Sequence, residues 1–288
     1  MGILHITGND KMKEMTLKDI QQVCLDILKD VHAFCIENSI KYSLCYGTLI
    51  GAIRHQGFIP WDDDIDILMS RPEYERFVRS YKSSKGYKLF AAENNDGDTE
   101  VSVPFARVCE MQRTFVDTGI LPWVNKKTGV WIDVFPIDGA PDTEAGRQKQ
   151  MVDVVRQNKL LNILRIKRGY RTIWRAKTIR FQVRLLIKKV LTPFVKTNVL
   201  YDYINMCKEY SFSDSNIVVD VACPFYRERE YHKKDVMKDF LLHPFEDNEF
   251  YIMTGYNEYL EDIYGDYMQL PPVEKRTTTH TFNTFYWL

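Results

Sequence analysis

Between residues 16 and 38, apolar side chains return every three or four positions, at Leu17, Ile20, Cys24, Ile27, Val31 and Phe34. That period is one face of an α-helix. Thr16 with Asp19 three residues on forms a capping box for its start. The pattern then shortens. Residues 42–46 make a brief apolar run of strand length, Gly47-Thr48 follows as a turn, and 49–54 suits a short helix. Asp64-Ile65-Asp66-Ile67 alternates with period two. Such a strand puts Asp64 and Asp66 on one face and Ile65 and Ile67 on the other. Residues 71–83 read as a helix with Pro72 in its first turn. Strands are predicted at 87–92, 103–110, 113–117 and 130–136, with a polar turn at 94–99.

From 143 to 196 the pattern is helical again, through Leu160, Leu161, Ile163, Leu164 and Ile166, then Val183, Leu185, Leu186, Ile187, Val190 and Leu191. Gly169-Tyr170 divides this stretch and Pro193 ends it. A further helix at 198–210 and a short strand at 217–221 precede a part rich in Tyr and Phe. The chain therefore reads as α+β, a mixed sheet flanked by helices. Three parts are expected: a catalytic core at 1–142, a helical segment at 143–212, and a C-terminal part at 213–288 that packs back on the core.

Composition adds one asymmetry. The 288 residues carry no formal net charge, and 13% are aromatic, so disorder is excluded. Yet residues 147–196 hold fifteen Lys and Arg against the single acid Asp153, a balance of +14. Val183, Leu186, Val190 and Leu191 lie beside Arg180, Arg184 and Lys188, as in a helix that rests on an anionic membrane surface. The alternative is that this apolar stripe packs on the catalytic part. The segment's aromatic residues are only Tyr170, Trp174, Phe181 and Phe194. That argues against nucleic acid, which calls for interleaved aromatics. No run approaches the ~20 apolar residues of a membrane span. The first fifteen residues lack a secretory pattern. The six cysteines form no C-x-x-C pair, so they read as reduced thiols of a cytoplasmic protein.

The chemistry lies in residues 46–69, YGTLIGAIRHQGFIPWDDDIDILM. Asp62, Asp63, Asp64 and Asp66 repel one another unless something positive sits among them. Carboxylates on one strand face suit a hard oxygen-seeking cation, Mg²⁺ or Mn²⁺, shared with substrate phosphates. A Ca²⁺ loop is excluded, because its required Gly is Ile67 here and Pro72 precedes Glu73. Strand, Gly47-Thr48 turn and helix N-terminus make an anion site. Arg54 and His55, further along that helix, add positive charge. Asp133 stands alone among apolar neighbours in VWIDVFP. Together these make a metal-dependent phosphoryl-transfer site: Asp64, Asp66 and Asp133 as metal ligands and catalytic carboxylates, with Gly47, Thr48, Arg54 and His55 on the phosphates. Asp62 and Asp63 cap the strand or support the ligands.

GAIRHQGFIPWDDDIDI, VWIDVFPID, and YGDYMQLPP with Arg276 and His280 resemble the LicD family, from residue 20 to residue 280. That family includes bacterial phosphorylcholine transferases and is related to fukutin and fukutin-related protein. The resemblance implies a nucleotidyltransferase-like fold, with Thr48 where that pattern has Gly or Ser. It also implies a CDP-linked alcohol such as CDP-choline as donor. The acceptor would be a sugar hydroxyl of a surface glycan or its lipid-linked precursor. A quaternary ammonium binds aromatic faces, and Trp61, Trp123, Trp131, Tyr226 and Tyr231 are candidates. Two alternatives stand beside this: nucleotidyl transfer with release of pyrophosphate, and a non-catalytic membrane-surface module.

Overall fold

The capping box at Thr16 forms as expected. The Thr16 hydroxyl accepts from the Asp19 amide at 3.2 Å, and the Asp19 carboxylate accepts from the Thr16 amide at 2.8 Å. In this computed structural model, residues 12–94, 101–118, 127–168, 178–194, 198–278 and 283–288 are described. β1 (Lys13–Glu14) precedes α1 (Leu17–Glu37), which buries Ile20, Val23, Cys24, Ile27, Leu28 and Val31 and packs across the central sheet. Each of the larger side chains contributes about 1.5–3 kcal/mol relative to exposure.

The sheet runs β2 (Ser43–Leu44), β3 (Asp66–Ser70), β7 (Trp131–Ala140), β5 (Ala106–Cys109), β4 (Lys88–Phe90). β3 and β7 are parallel and the other neighbours antiparallel. Every residue of β7 is buried, which is why its sequence is nearly continuous apolar. Register sets the site: Asp66 lies opposite Asp133, and Asp133 opposite Arg107. The far half of β7 pairs with β8 (Ile217–Val219), which pairs with β9 (Tyr231–Lys233). The fold is thus α+β with a mixed sheet.

Two boundaries differ from the periodicity. β3 opens at Asp66, with Asp64 and Ile65 just ahead of it. α2 (Tyr46–His55) begins at Tyr46, so Gly47 and Thr48 sit inside its first turn. Tyr46 reaches this start with φ 48°, a left-handed conformation costly for a bulky side chain. α3 (Arg71–Ser80) carries Pro72 in its first turn.

α4 (Glu144–Arg168), α5 (Ile179–Leu191) and α6 (Val199–Cys207) follow; the predicted break at Gly169-Tyr170 lies outside the described residues. α4 and α6 enclose a second apolar cluster around Met151, Val154, Tyr203 and Ile204. The hairpin of β10 (Phe240–Phe245) and β11 (Asn248–Met253), and α7 (Tyr256–Tyr264), add Phe245, Phe250, Ile252 and Tyr259 to the main core. β12 (Thr284–Trp287) lies between β1 and β6 (Thr114–Asp117). All six cysteines are free thiols, and five are buried.

Candidate functional site

Gly51 lets α2 and the acidic loop touch. A Cβ there would meet the Gly57 carbonyl oxygen at 2.4 Å, so only glycine allows the backbones this close. The chain then turns at Ile59–Asp62, where the Asp62 amide donates to the Ile59 carbonyl at 2.9 Å. Gln21 of α1 donates to the Asp62 carbonyl at 2.8 Å. The Asp62 carboxylate ends over the first turn of α2: a Cβ on Gly47 would stand 2.8 Å from it. Asp66 is pinned beside the same turn. Its amide donates to the Thr48 hydroxyl at 2.9 Å, and its carbonyl accepts from the Cys45 amide at 3.1 Å.

These elements border a cleft of about 1070 Å³. Gly47, Asp62, Asp64, Asp66, Asp133 and Arg107 line it, and so do Phe225, Tyr226, Tyr264 and Tyr267. Tyr46, Phe105 and Phe135 also line it. Gly47, Arg54, Asp64, Asp66 and Asp133 from the sequence reading therefore meet in one space. Thr48 does not line it. Because α2 starts at Tyr46, its side chain turns inward to hold β3. His55 does not line it either; its Nε2 accepts from Arg54 Nε at 3.0 Å. Of the aromatic candidates, Trp61 and Tyr226 line the cleft. Trp131 is buried beneath Arg107, 4.7 Å from guanidinium to ring. Tyr231 faces α4, where its hydroxyl donates to the Arg147 carbonyl at 2.9 Å. Trp123 and His280 lie outside the described residues.

The group of acids is strongly negative. Asp62, Asp63 and Asp64 offer carboxylate oxygens within 4.8 Å of one another. Asp63 is buried and accepts from the Thr278 hydroxyl. Loss of solvent pushes the Asp66 carboxyl well above the ordinary carboxylate range. The charges of Asp64, Asp133 and Asp62 push it the same way, and Arg107 opposes them. So many carboxylates around one guanidinium have the donor chemistry of a hard divalent cation site.

Arg107 is a residue that periodicity missed. Its guanidinium grips Asp133 with two nitrogens, Nη2 to Oδ2 at 3.1 Å and Nε on Oδ1. Its one visible signal is a lone arginine in the apolar run PFARVC. The C-terminal loop supplies a basic end. Arg54 Nη1 donates to the Tyr267 carbonyl at 2.6 Å, and the Arg276 guanidinium stacks over Trp61 at 5.5 Å.

Behind the cleft, the Tyr46 hydroxyl lies 2.9 Å from both Asp220 Oδ2 and Glu230 Oε2. Both acids are buried. One hydroxyl hydrogen serves only one of them, so the second contact needs a proton on a carboxyl. Burial above all raises Asp220, to about 7. Glu230 is raised by burial and then by Asp220.

The family model described as LicD/FKTN/FKRP, nucleotidyltransferase domain, matches residues 39–148. The chain is 32% identical over 272 residues to the lipopolysaccharide cholinephosphotransferase LicD of Haemophilus influenzae, covering 93% of this chain and 97% of that protein. Shorter matches reach an uncharacterized protein of Rickettsia typhi, 42% over 90 residues (30% of this chain, 29% of that protein), and one of Rickettsia prowazekii, 56% over 41 residues (14% of this chain, 15% of that protein).

Proposed function

The chain belongs to the LicD family, and we propose that it moves phosphorylcholine, or a similar alcohol phosphate, from a CDP-activated donor to a sugar hydroxyl of a surface glycan or its lipid-linked precursor. The observation that carries the reading is that one cleft is lined by both kinds of group: carboxylates suited to a metal-bound diphosphate and aromatic rings suited to a quaternary ammonium.

Asp64, Asp66 and Asp133 are the proposed ligands of a divalent cation, Mg²⁺ or Mn²⁺. When bound, such a cation draws charge from phosphate oxygens. The chain's own groups do the rest. The acceptor oxygen forms a bond to the distal phosphorus of the donor, the bridging P–O bond breaks, and its electron pair leaves with CMP. Asp133, held in place by Arg107, receives the acceptor proton. Arg54 and the first turn of α2 at Gly47 bind phosphate oxygens. His55 holds the Arg54 side chain from behind. Tyr226 and Tyr264 form the ammonium surface; their rings are edge to face at 5.0 Å and their hydroxyls 3.0 Å apart. Trp61 is stacked on one face by the Arg276 guanidinium, as Tyr226 is by Tyr46.

The matched nucleotidyltransferase domain favours a second reading, transfer of the nucleotide with loss of pyrophosphate. Purified protein is incubated with Mg²⁺ and CDP-choline, CDP-ribitol or CTP. Release of CMP from CDP-choline is the expected result. Pyrophosphate from CTP, without CMP from either CDP-alcohol, would replace it with the second reading.

A further inference from the structure

α5 presents its apolar side to solvent. Ile179, Val183, Leu186, Ile187 and Val190 follow one another at helical spacing on one face. Ile179 is 79% exposed and Val190 70%. Phe194, in the short 3₁₀ turn that follows, is 82% exposed. Leu185 projects from the opposite side and is 2% exposed, and the helix packs against α4. The stripe is therefore the outer face of a helix already seated on the protein, and not a core stripe.

Its margins carry Arg180 and Arg184 on one side and Lys189 with the uncharged Gln182 on the other, Lys188 lies toward the Leu185 side, and no acid occurs between Asp153 and Asp202. A protein partner is a poor fit, because a patch with charge of one sign and no acid would demand a matching acidic face, whereas protein interface cores are depleted in charge. Nucleic acid has no use for exposed aliphatic side chains. Aliphatic residues bordered by lysine and arginine match the boundary of an anionic bilayer, where chains meet headgroups. No helix among the described residues is long and apolar enough to cross a membrane, so this surface would lie along one.

We propose that α5, with Phe194, is a docking surface for an anionic lipid bilayer, its apolar face entering the headgroup region and Arg180 and Arg184 pairing with lipid phosphates. The inference rests on this face alone and is independent of the reading of the cleft. It would hold a lipid-linked acceptor and the enzyme at the same surface.

The test is flotation of the full chain with two vesicle types, phosphatidylcholine alone and phosphatidylcholine with about one third phosphatidylglycerol. Binding is expected to the anionic vesicles only, and to disappear at high salt. Arg180→Gln with Arg184→Gln should weaken partitioning about thirty-fold. Ile187→Asp with Val190→Asp should abolish it while thermal melting and activity on a soluble acceptor stay unchanged, since both residues are exposed. Absence of binding to anionic vesicles at low salt would overturn the proposal. Equal binding of both double variants would overturn it too, as would a solution dimer that the aspartate pair dissociates, which would make a second copy the occupant.

Discussion

β7 carries two arginine–aspartate pairs, five residues apart, and they differ in what they face. At one end Arg107 of β5 grips Asp133, and the pair opens onto the cleft beside Asp64 and Asp66. At the other, Arg71 of α3 grips Asp138 with Nε and Nη2, both at 2.7 Å. That pair is sealed between the two apolar clusters. The chemistry of each pair is the same. In the sealed pair the guanidinium neutralises a carboxylate that would otherwise be too costly to bury. In the open pair the same grip holds a carboxylate in position among like charges. Environment, more than residue type, separates a structural aspartate from the one proposed to react.

A set of substitutions and one pH series would break or sharpen this contrast. Asp66→Asn, or Asp64→Asn, should cost at least about a thousandfold in turnover with the fold retained, since one metal-facing charge supplies several kcal/mol at the transition state. Near-normal turnover at saturating Mg²⁺ would remove the open end's claim to chemistry. Asp138→Asn leaves the buried Arg71 with only Glu93, 4.0 Å away, as an anion and should cost about 3 kcal/mol of stability by denaturant titration. Its kcat, measured on folded protein, should barely move. Asp133→Asn should do the opposite. We expect kcat to fall about ten- to a hundredfold, far more than donor KM rises, with a smaller loss of stability. Loss through donor KM alone would make Asp133 a binding group.

The buried acids behind Tyr46 give a pH test. Asp220 stands at about 7 in the fold, against 3.8 as its ordinary value. Between those values the folded chain holds a proton that the unfolded chain has released. Stability from this group is therefore greatest at low pH, falls as pH rises from about 4 to about 7, and is level above. Asp220→Asn keeps an acceptor for the Ala222 and Cys223 amides and should flatten that fall in a series of melting temperatures. The smallest effect belongs to Thr48→Val. It removes the acceptor of the Asp66 amide and should cost about 1–2 kcal/mol, with activity falling only as Asp66 loosens.

What the sequence revealed was local. α1 was legible from its cap to Asn38, because capping and helical period are both written within a few residues. The acids of the WDDDID run and the strand of Asp133 were legible for the same reason. The first turn of α2 was not: apolar spacing carries no mark of the left-handed φ at Tyr46 that starts the helix early. Asp138 shows the limit from the other side. It sits in the same apolar setting as Asp133, and only α3, brought over it by the fold, makes it structural. Arg107 was overlooked because the register of β5 on β7 gives it its partner. The apolar stripe of α5 was visible from periodicity, but which way it faced was not.

The cleft is also a statement about order of synthesis. Tyr46 meets acids 174 and 184 residues later in the chain; Arg54 meets a carbonyl 213 residues on, and Asp63 a hydroxyl 215 on. The acidic loop leaves the ribosome early, while its covers and its basic rim come last. Closing such distant contacts is slow and entropically costly. A nascent chain would hold the aspartates half-assembled until the final quarter arrives, unable to grip a charged donor before then. Donor binding to a fragment ending at residue 215 should accordingly be undetectable by calorimetry, and measurable binding there would show that the early segment builds its site without help.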